Sequence, residues 1–253
     1  MNLIKPKKSL GQNFLIDKNE IDLIIDAGNI EKNDVVFEVG PGTGNLTQKI
    51  LTKEPKKIFT VEKDKILAKK LVEKFKDKIC MINKDILHMN EENLSDRPMI
   101  VFGNLPYNIS TQILAKWIKI INLNNTFKRF ILMFQKEVGE RIVADTNKKN
   151  YGRLSILTSW RMNVKKITDV SPKSFFPIPK VKSTILLIEP KIKYYNLKNP
   201  KNLEYITSVF FNQRRKMIKK PINSLFKNAK ELSRKLNINL NDRPQNLSPD
   251  KYF

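Results

Sequence analysis

Asn104, Leu105, Pro106 and Tyr107 follow an apolar run in "FGNLPYNIS" (102–110), where a turn ordinarily carries glycine and small polar residues. An amide, a proline and a phenol in one short turn suit a flat, weakly nucleophilic amine. The exocyclic N6 of adenine is such an amine. Its lone pair is delocalised into the ring, and it is far too weak an acid for a side chain to deprotonate. Two acceptors aimed at its hydrogens favour a more tetrahedral nitrogen whose lone pair points at an electrophilic carbon. The side-chain carbonyl of Asn104 and the backbone carbonyl of Leu105 or Pro106 can serve. Tyr107 offers a stacking face, Pro106 fixes φ, and the remainder is positioning of the reacting atoms. The methyl of S-adenosylmethionine is a fitting electrophile, because its leaving group is a neutral thioether. This chemistry needs no histidine, metal or covalent intermediate, in keeping with a single histidine, His88, and a single cysteine, Cys80.

A second cluster lies upstream. "VFEVGPGTGNLT" reads as a strand, a glycine turn and a helix start, with Gly40, Gly42 and Gly44 spaced G-x-G-x-G. Glycine permits positive φ and close backbone approach to a ligand. A dinucleotide fingerprint requires a third spacing that Asn45 breaks, so NAD is disfavoured. Glu62 stands 22 residues after Gly40, at the end of the next strand, where an acid can take both ribose hydroxyls of an adenosine-containing cofactor. Asp85 follows the third strand and can accept from the cofactor's adenine amine. Downstream, "FFPIPK" brings Phe175, Phe176 and two prolines. Phe176 is a candidate for the second face of a target base, since unpaired RNA bases are commonly held on aromatic side chains.

These residues need a scaffold that gathers strand ends. Strands are predicted at 35–39, 57–62, 79–82, 99–104 and 127–135, alternating with helices. One helix carries Leu67, Ala68, Leu71, Val72 and Phe75 on a stripe, and another carries Ile113, Leu114, Trp117, Ile118 and Ile121. Asp17 and Glu20 have capping-box spacing ahead of a first helix. The alternation predicts an α/β fold with a mostly parallel sheet covered on both faces, and ligands of such sheets bind at the C-terminal strand edge. "STILLIEP" (183–190) predicts a closing strand, antiparallel to one near 162–169. Pro190 and "KIKYYNLKNP" read as a linker, giving a methyltransferase-type domain at 1–191 and a small basic helical domain at 192–253.

The 48 Lys and Arg against 25 Asp and Glu leave a net charge of +23, which points to a polyanionic partner, above all nucleic acid. The N-terminal segment is a basic arm with Lys5, Lys7 and Lys8. No apolar run reaches bilayer-spanning length, no signal-peptide core opens the chain, and the lone cysteine fits a cytoplasmic protein.

Taken together, "GQNFLID", "EVGPGTGNLT", "GNLPYNIST" and "FFPIPKVKST" resemble, in order and spacing and over nearly the whole chain, the rRNA adenine N6-dimethyltransferases. The resemblance implies a Rossmann-like S-adenosylmethionine-dependent methyltransferase sheet. It is strongest to the branch that dimethylates two adjacent adenosines in the hairpin loop near the 3′ end of small-subunit rRNA, within subunit biogenesis. It further implies that Asn13 and Leu15 close over the methionine end of the cofactor and that Gly40 contacts it through its backbone. Glu62 would hold the ribose and Asp85 the adenine. Asn104 would touch both cofactor and target base, with Leu105, Pro106 and Tyr107 completing the target site. "FFNQRRKMIKK" matches the family's basic helical domain, so Arg214 and Arg215 are expected on an RNA-docking helix face that Pro221 interrupts. "RPQNLSPDKYF" looks like a truncated last helix. The expected partner is the small ribosomal subunit and its rRNA, engaged by a monomer without membrane or metal. Two alternatives share the scaffold: a macrolide-resistance-type large-subunit rRNA methyltransferase, and a non-catalytic RNA-binding assembly factor.

Overall fold

A computed structural model describes residues 6–120 and 123–253; Lys5 and Ile121 lie outside them. In chain order the elements are β1 (Phe14–Leu15), α1 (Lys18–Gly28), β2 (Val35–Val39), α2 (Asn45–Leu51), β3 (Lys57–Val61), α3 (Lys65–Phe75), β4 (Cys80–Ile82), β5 (Met99–Asn104), α4 (Ser110–Ile118), α5 (Leu123–Thr126) and β6 (Phe127–Gln135). There follow α6 (Lys136–Ile142), α7 (Arg153–Arg161), β7 (Met162–Val170), β8 (Phe175–Phe176), β9 (Ser183–Pro190), α8 (Pro200–Asn212), α9 (Lys219–Leu225) and α10 (Ala229–Lys235).

The chain divides into two compact units, 1–139 with 164–190, and 140–163 with 191–253. The first holds the sheet, in the order β4-β3-β2-β5-β6-β9-β7. β3, β2, β5 and β6 run parallel, and β9 is antiparallel to β6. The predicted partner of β9 near 162–169 is present as its other neighbour, β7. The interior strands are buried on both faces: β2 is buried at all five positions, as a sheet covered on both sides requires. Val36, Ile100, Phe102, Ile131, Met133 and Ile185 contribute to the core beneath the site.

Strand order reverses between β2 and β5, since β3 and β4 lie to one side of β2 and β5 and β6 to the other. That reversal opens a crevice at the carboxyl ends of β2 and β5. Val39 pairs with Gly103 there, so Gly40 and Asn104 leave the sheet side by side. The described part of the expected N-terminal arm runs from residue 6 into β1. Residues Phe14 and Leu15 pair antiparallel with Phe176 and Phe175, which ties the arm to the "FFPIPK" stretch. Asp17 caps α1 through Asn19 N and Glu20 N, while its own N–H goes to Ser174 O instead of returning to Glu20.

The second unit corrects several expectations. Residues 140–163 were assigned with the sheet but pack with 191–253. The Tyr151 hydroxyl donates to Leu247 O at 2.9 Å, its ring meets Phe211 edge-on, and Trp160 Nε1 donates to Tyr195 O. The last contact also means that part of the expected linker is packed down. "FFNQRRKMIKK" is not one basic helix: α8 ends at Asn212, and Arg214–Lys216 lie in the connection to α9. Pro221 therefore falls in the first turn of α9, where a missing N–H leaves no helical bond unmade, and no kink results. "RPQNLSPDKYF" forms two 3-10 turns, Pro244–Asn246 and Pro249–Lys251, and Tyr252 is buried against Phe210 and Phe211.

Candidate active site

The crevice holds a cavity of about 210 Å³, lined by the arm at Gln12 and Asn13, by Gly40, Gly42, Glu62 and Asp85, and by Asn104 and Pro106 of the NLPY turn. Gly40 and Gly42 have φ of 68° and 58°, a region that favours glycine. A Cβ on Gly42 would also lie 2.7 Å from the ring of Phe14, so the arm rests directly on the glycine turn.

Glu62 is almost fully buried. Burial pushes its carboxyl above the ordinary value, the backbone N–H groups of Asp64, Gly42 and Lys63 pull it back, and the Asp64 charge raises it further. Its Oε1 accepts from Asp64 N at 2.8 Å. Asp85 accepts from Lys63 Nζ at 2.8 Å and from Leu87 N at 3.0 Å. The Lys63 ammonium, partly opposed by desolvation, and the Leu87 amide hold its carboxyl below the ordinary range. With two acceptor sites on each oxygen, Asp85 keeps a site free on both oxygens and Glu62 keeps one beside its three N–H donors, so an incoming amine or hydroxyl can still be accepted at both acids. The donor set therefore fits S-adenosylmethionine: an acid for the ribose, an acid for the adenine amine, and a positive-φ glycine cradle between them.

Asn104 is oriented by the arm. Its Nδ2 donates to Asn13 O at 2.7 Å, which fixes the amide and leaves Oδ1 as the acceptor presented to a ligand. Pro106 O is occupied by Ile109 N and Ser110 N. Of the two backbone carbonyls available on sequence grounds, that leaves Leu105 O as the second acceptor. The Leu105 side chain is buried. Tyr107 bonds Ser183 Oγ at 2.6 Å, and Phe176 is 53% exposed.

Two expected residues stand elsewhere. Leu15 belongs to the core and lines not the 210 Å³ cavity but a water-sized void adjoining it, together with Glu38, Gly40, Asn45 and Asn104; its carbonyl accepts from Asn45 Nδ2. Arg214 spends its guanidinium within the second unit, on Gln245 Oε1 and Lys148 O. Arg215, by contrast, lines an open cationic concavity with Lys216, Lys219, Lys220 and Arg243.

Sequence reasoning missed Gln12, Asp64 and Ser183. Lys7 Nζ lies 2.9 Å from Asp64 Oδ2, and Gln12 Nε2 donates to the same oxygen at 3.2 Å. Burial opposes the Asp64 charge, but Lys7, Ile66 N and Gln12 together hold its carboxyl below the ordinary value. Asp64 also caps α3, accepting from Ile66 N at 3.0 Å.

Sheet topology, crevice and site define a Rossmann-like S-adenosylmethionine-dependent methyltransferase. The family described as "Ribosomal RNA adenine dimethylase" matches residues 4–253, and the chain belongs to it. A protein of Pelagibacter ubique (strain HTCC1062) named "Ribosomal RNA small subunit methyltransferase A" is 57% identical over 99% of this chain and 95% of its own length. One of Ehrlichia chaffeensis with the same name is 42% identical over 98% of this chain and 95% of its own. Among solved structures, a dimethyladenosine transferase from Plasmodium falciparum shares 27% identity and a TM-score of 0.77 over 94% of both chains. The 23S rRNA methyltransferase ErmE, at 21% identity and TM-score 0.72, shares the fold.

Proposed function

We propose that this chain dimethylates the N6 amines of two adjacent adenosines in the hairpin loop near the 3′ end of small-subunit rRNA. It acts in the cytoplasm as a monomer, on the small ribosomal subunit as it is made. The observation that carries the reading is the tied amide of Asn104: only with Nδ2 engaged does the turn present two acceptors, Oδ1 and Leu105 O, to one amine. The names borne by relatives at 57% and 42% identity support the choice of small-subunit rRNA.

When bound, S-adenosylmethionine supplies a methyl on a sulfonium whose departure leaves a neutral thioether. Glu62 would hold the ribose, Asp85 the adenine, and the Gly40 turn the remainder. Asn13 O keeps the Asn104 amide from flipping. Oδ1 and Leu105 O accept the two N6 hydrogens, so the lone pair is directed out of the ring plane toward the methyl. After transfer, the extra proton on nitrogen leaves to water, and no side chain is needed to remove it beforehand. The adenine must leave its stack to reach this turn. Tyr107 receives one face and exposed Phe176 the other, while Arg215 and its neighbours take backbone phosphates.

The test is transfer of radiolabelled methyl to small subunits lacking the dimethyl marks, with protein-free large-subunit rRNA in parallel. Label should appear as dimethyladenosine in the small subunit. Label in large-subunit RNA alone would assign the chain to the other rRNA substrate. Asn104→Ala should lower turnover by about 10²- to 10³-fold, the scale of losing one preorganised hydrogen-bonding group, while leaving the fold intact. Wild-type turnover in that variant would remove the mechanism.

A further inference from the structure

Tyr107 and Ser183 meet across the sheet edge from distant parts of the chain. Tyr107 closes the NLPY turn after β5; Ser183 opens β9, seven residues beyond Phe176. Ser183 is fully buried, and its hydroxyl lies 2.6 Å from the Tyr107 phenol oxygen. Among the described residues neither hydroxyl has another partner.

Both ends of this bond are mounted rigidly. Ser183 pairs with Gln135 in the β6–β9 ladder. The backbone before it is held by Lys136 N donating to Lys182 O, and Thr184 after it donates from Oγ1 to Thr168 O. Tyr107 sits in a turn closed by Ile109 N and Ser110 N on Pro106 O, and its own carbonyl accepts from Ser110 Oγ. A tyrosine on such a turn still has two free side-chain torsions unless its far end is anchored. Ordering it only when a base arrives would weaken binding by about two- to tenfold.

We propose that Ser183 is a positioning residue for methyl transfer, which holds the Tyr107 ring in its base-receiving orientation before RNA binds. The bond also joins the NLPY turn to the foot of the "FFPIPKVK" stretch, so the two walls offered to the target base are set by one contact. Burial pushes the Tyr107 phenol above its ordinary value, with the Ser183 bond partly opposing this. The group therefore stays protonated at neutral pH and serves as an anchor, with no part in proton transfer. The proposal rests on Tyr107 being the stacking residue.

The experiment is a double-mutant cycle with Ser183→Ala, Tyr107→Phe and both together, beside Tyr107→Ala and Ser183→Thr. The readouts are kcat and KM for rRNA, the cofactor Kd, and quenching of 2-aminopurine placed at the target adenosine. Ser183→Ala and Tyr107→Phe should each lower kcat/KM by roughly three- to tenfold, the worth of one net hydrogen bond. The pair should do no worse than either alone, Ser183→Thr should recover most of the loss, and the cofactor Kd and pH profile should not move. Additive losses, or a wild-type Tyr107→Phe beside a crippled Tyr107→Ala, would overturn the anchoring role while leaving the stacking role intact. A wild-type Tyr107→Ala, with unaltered 2-aminopurine quenching, would instead remove the stacking reading and the proposal with it.

Discussion

Glu38 is a carboxyl group in a place that disfavours charge. It sits mid-strand in β2, is 1% exposed, and bonds Thr47 Oγ1 through Oε2 at 2.6 Å, while Oε1 has no partner among the described residues. Burial pushes it up to about 7, the Thr47 bonds pull down, and Glu62 adds repulsion. The folded chain therefore binds this proton more tightly than the unfolded chain does. Its stabilising effect is complete below about pH 4.5, the unfolded value, and is lost as pH rises through about 7. Integrated over that window the loss is on the order of 3 kcal/mol. Glu38→Gln keeps an acceptor for Thr47 and abolishes the titration. Urea unfolding of the cofactor-free protein should show wild type and variant close together at pH 4.5 and the variant more stable at pH 8. Parallel pH curves would refute the assignment. The residue was invisible as a functional group in the sequence, because an acid inside "VFEVG" reads only as part of a strand before a glycine turn.

At the scale of elements, the loop that follows Asp85 is supported from α4. Lys116 Nζ reaches Ile86 O and Met89 O at 2.7 Å and both Glu91 oxygens at 2.8 Å, while Trp117 Nε1 donates to Glu91 Oε1 at 2.9 Å. Glu91 is 1% exposed, so removing Lys116 strands a buried charge. Lys116→Met should cost about 3–5 kcal/mol in urea unfolding. Adding Glu91→Gln removes the charge, preserves the acceptor for Trp117, and should recover most of that stability. It cannot replace the donor to Ile86 O and Met89 O, so the loop bearing Asp85 stays loosened and titration calorimetry should still show weakened cofactor binding. A double variant as unstable as the single would mean that the stranded charge is not the main term. This support was partly legible: the stripe Ile113, Leu114, Trp117 and Ile118 is buried as predicted, but Lys116 lay among its polar positions. Apolar runs marked β2, β5, β6 and β9 to the residue because strands covered on both faces are predominantly apolar. The pairing of β1 with β8, and the transfer of 140–163 to the second unit, depend on contacts between residues far apart in sequence, which no local period carries.

For the molecule as a whole, the net charge of +23 is informative only where it is concentrated. Lysine spread over a surface raises pI without making a site, and many here pair with carboxylates, such as Lys49 with Asp22 and Lys128 with Asp34. The concavity of the second unit is different. Arg215, Lys216, Lys219, Lys220 and Arg243 line it beside Gln213, Asn223 and Asn241, and the described residues lining it include no carboxylate. Cations gathered in this way release counterions from a bound polyanion, and each phosphate contact contributes about 0.7–0.9 to the slope of log affinity against log salt. Replacing Arg215, Lys219 and Lys220 with Gln should therefore flatten that slope by roughly 2–3 for small-subunit rRNA and raise its KM. Turnover at saturating RNA should hold, because the acceptors of the NLPY turn are untouched. Arg214→Gln is the contrast: its guanidinium already serves Gln245 and Lys148, so it should lower the unfolding midpoint more than the salt slope. Filter binding across a salt series separates the two, and an unchanged slope in the triple variant would show that the RNA is held elsewhere.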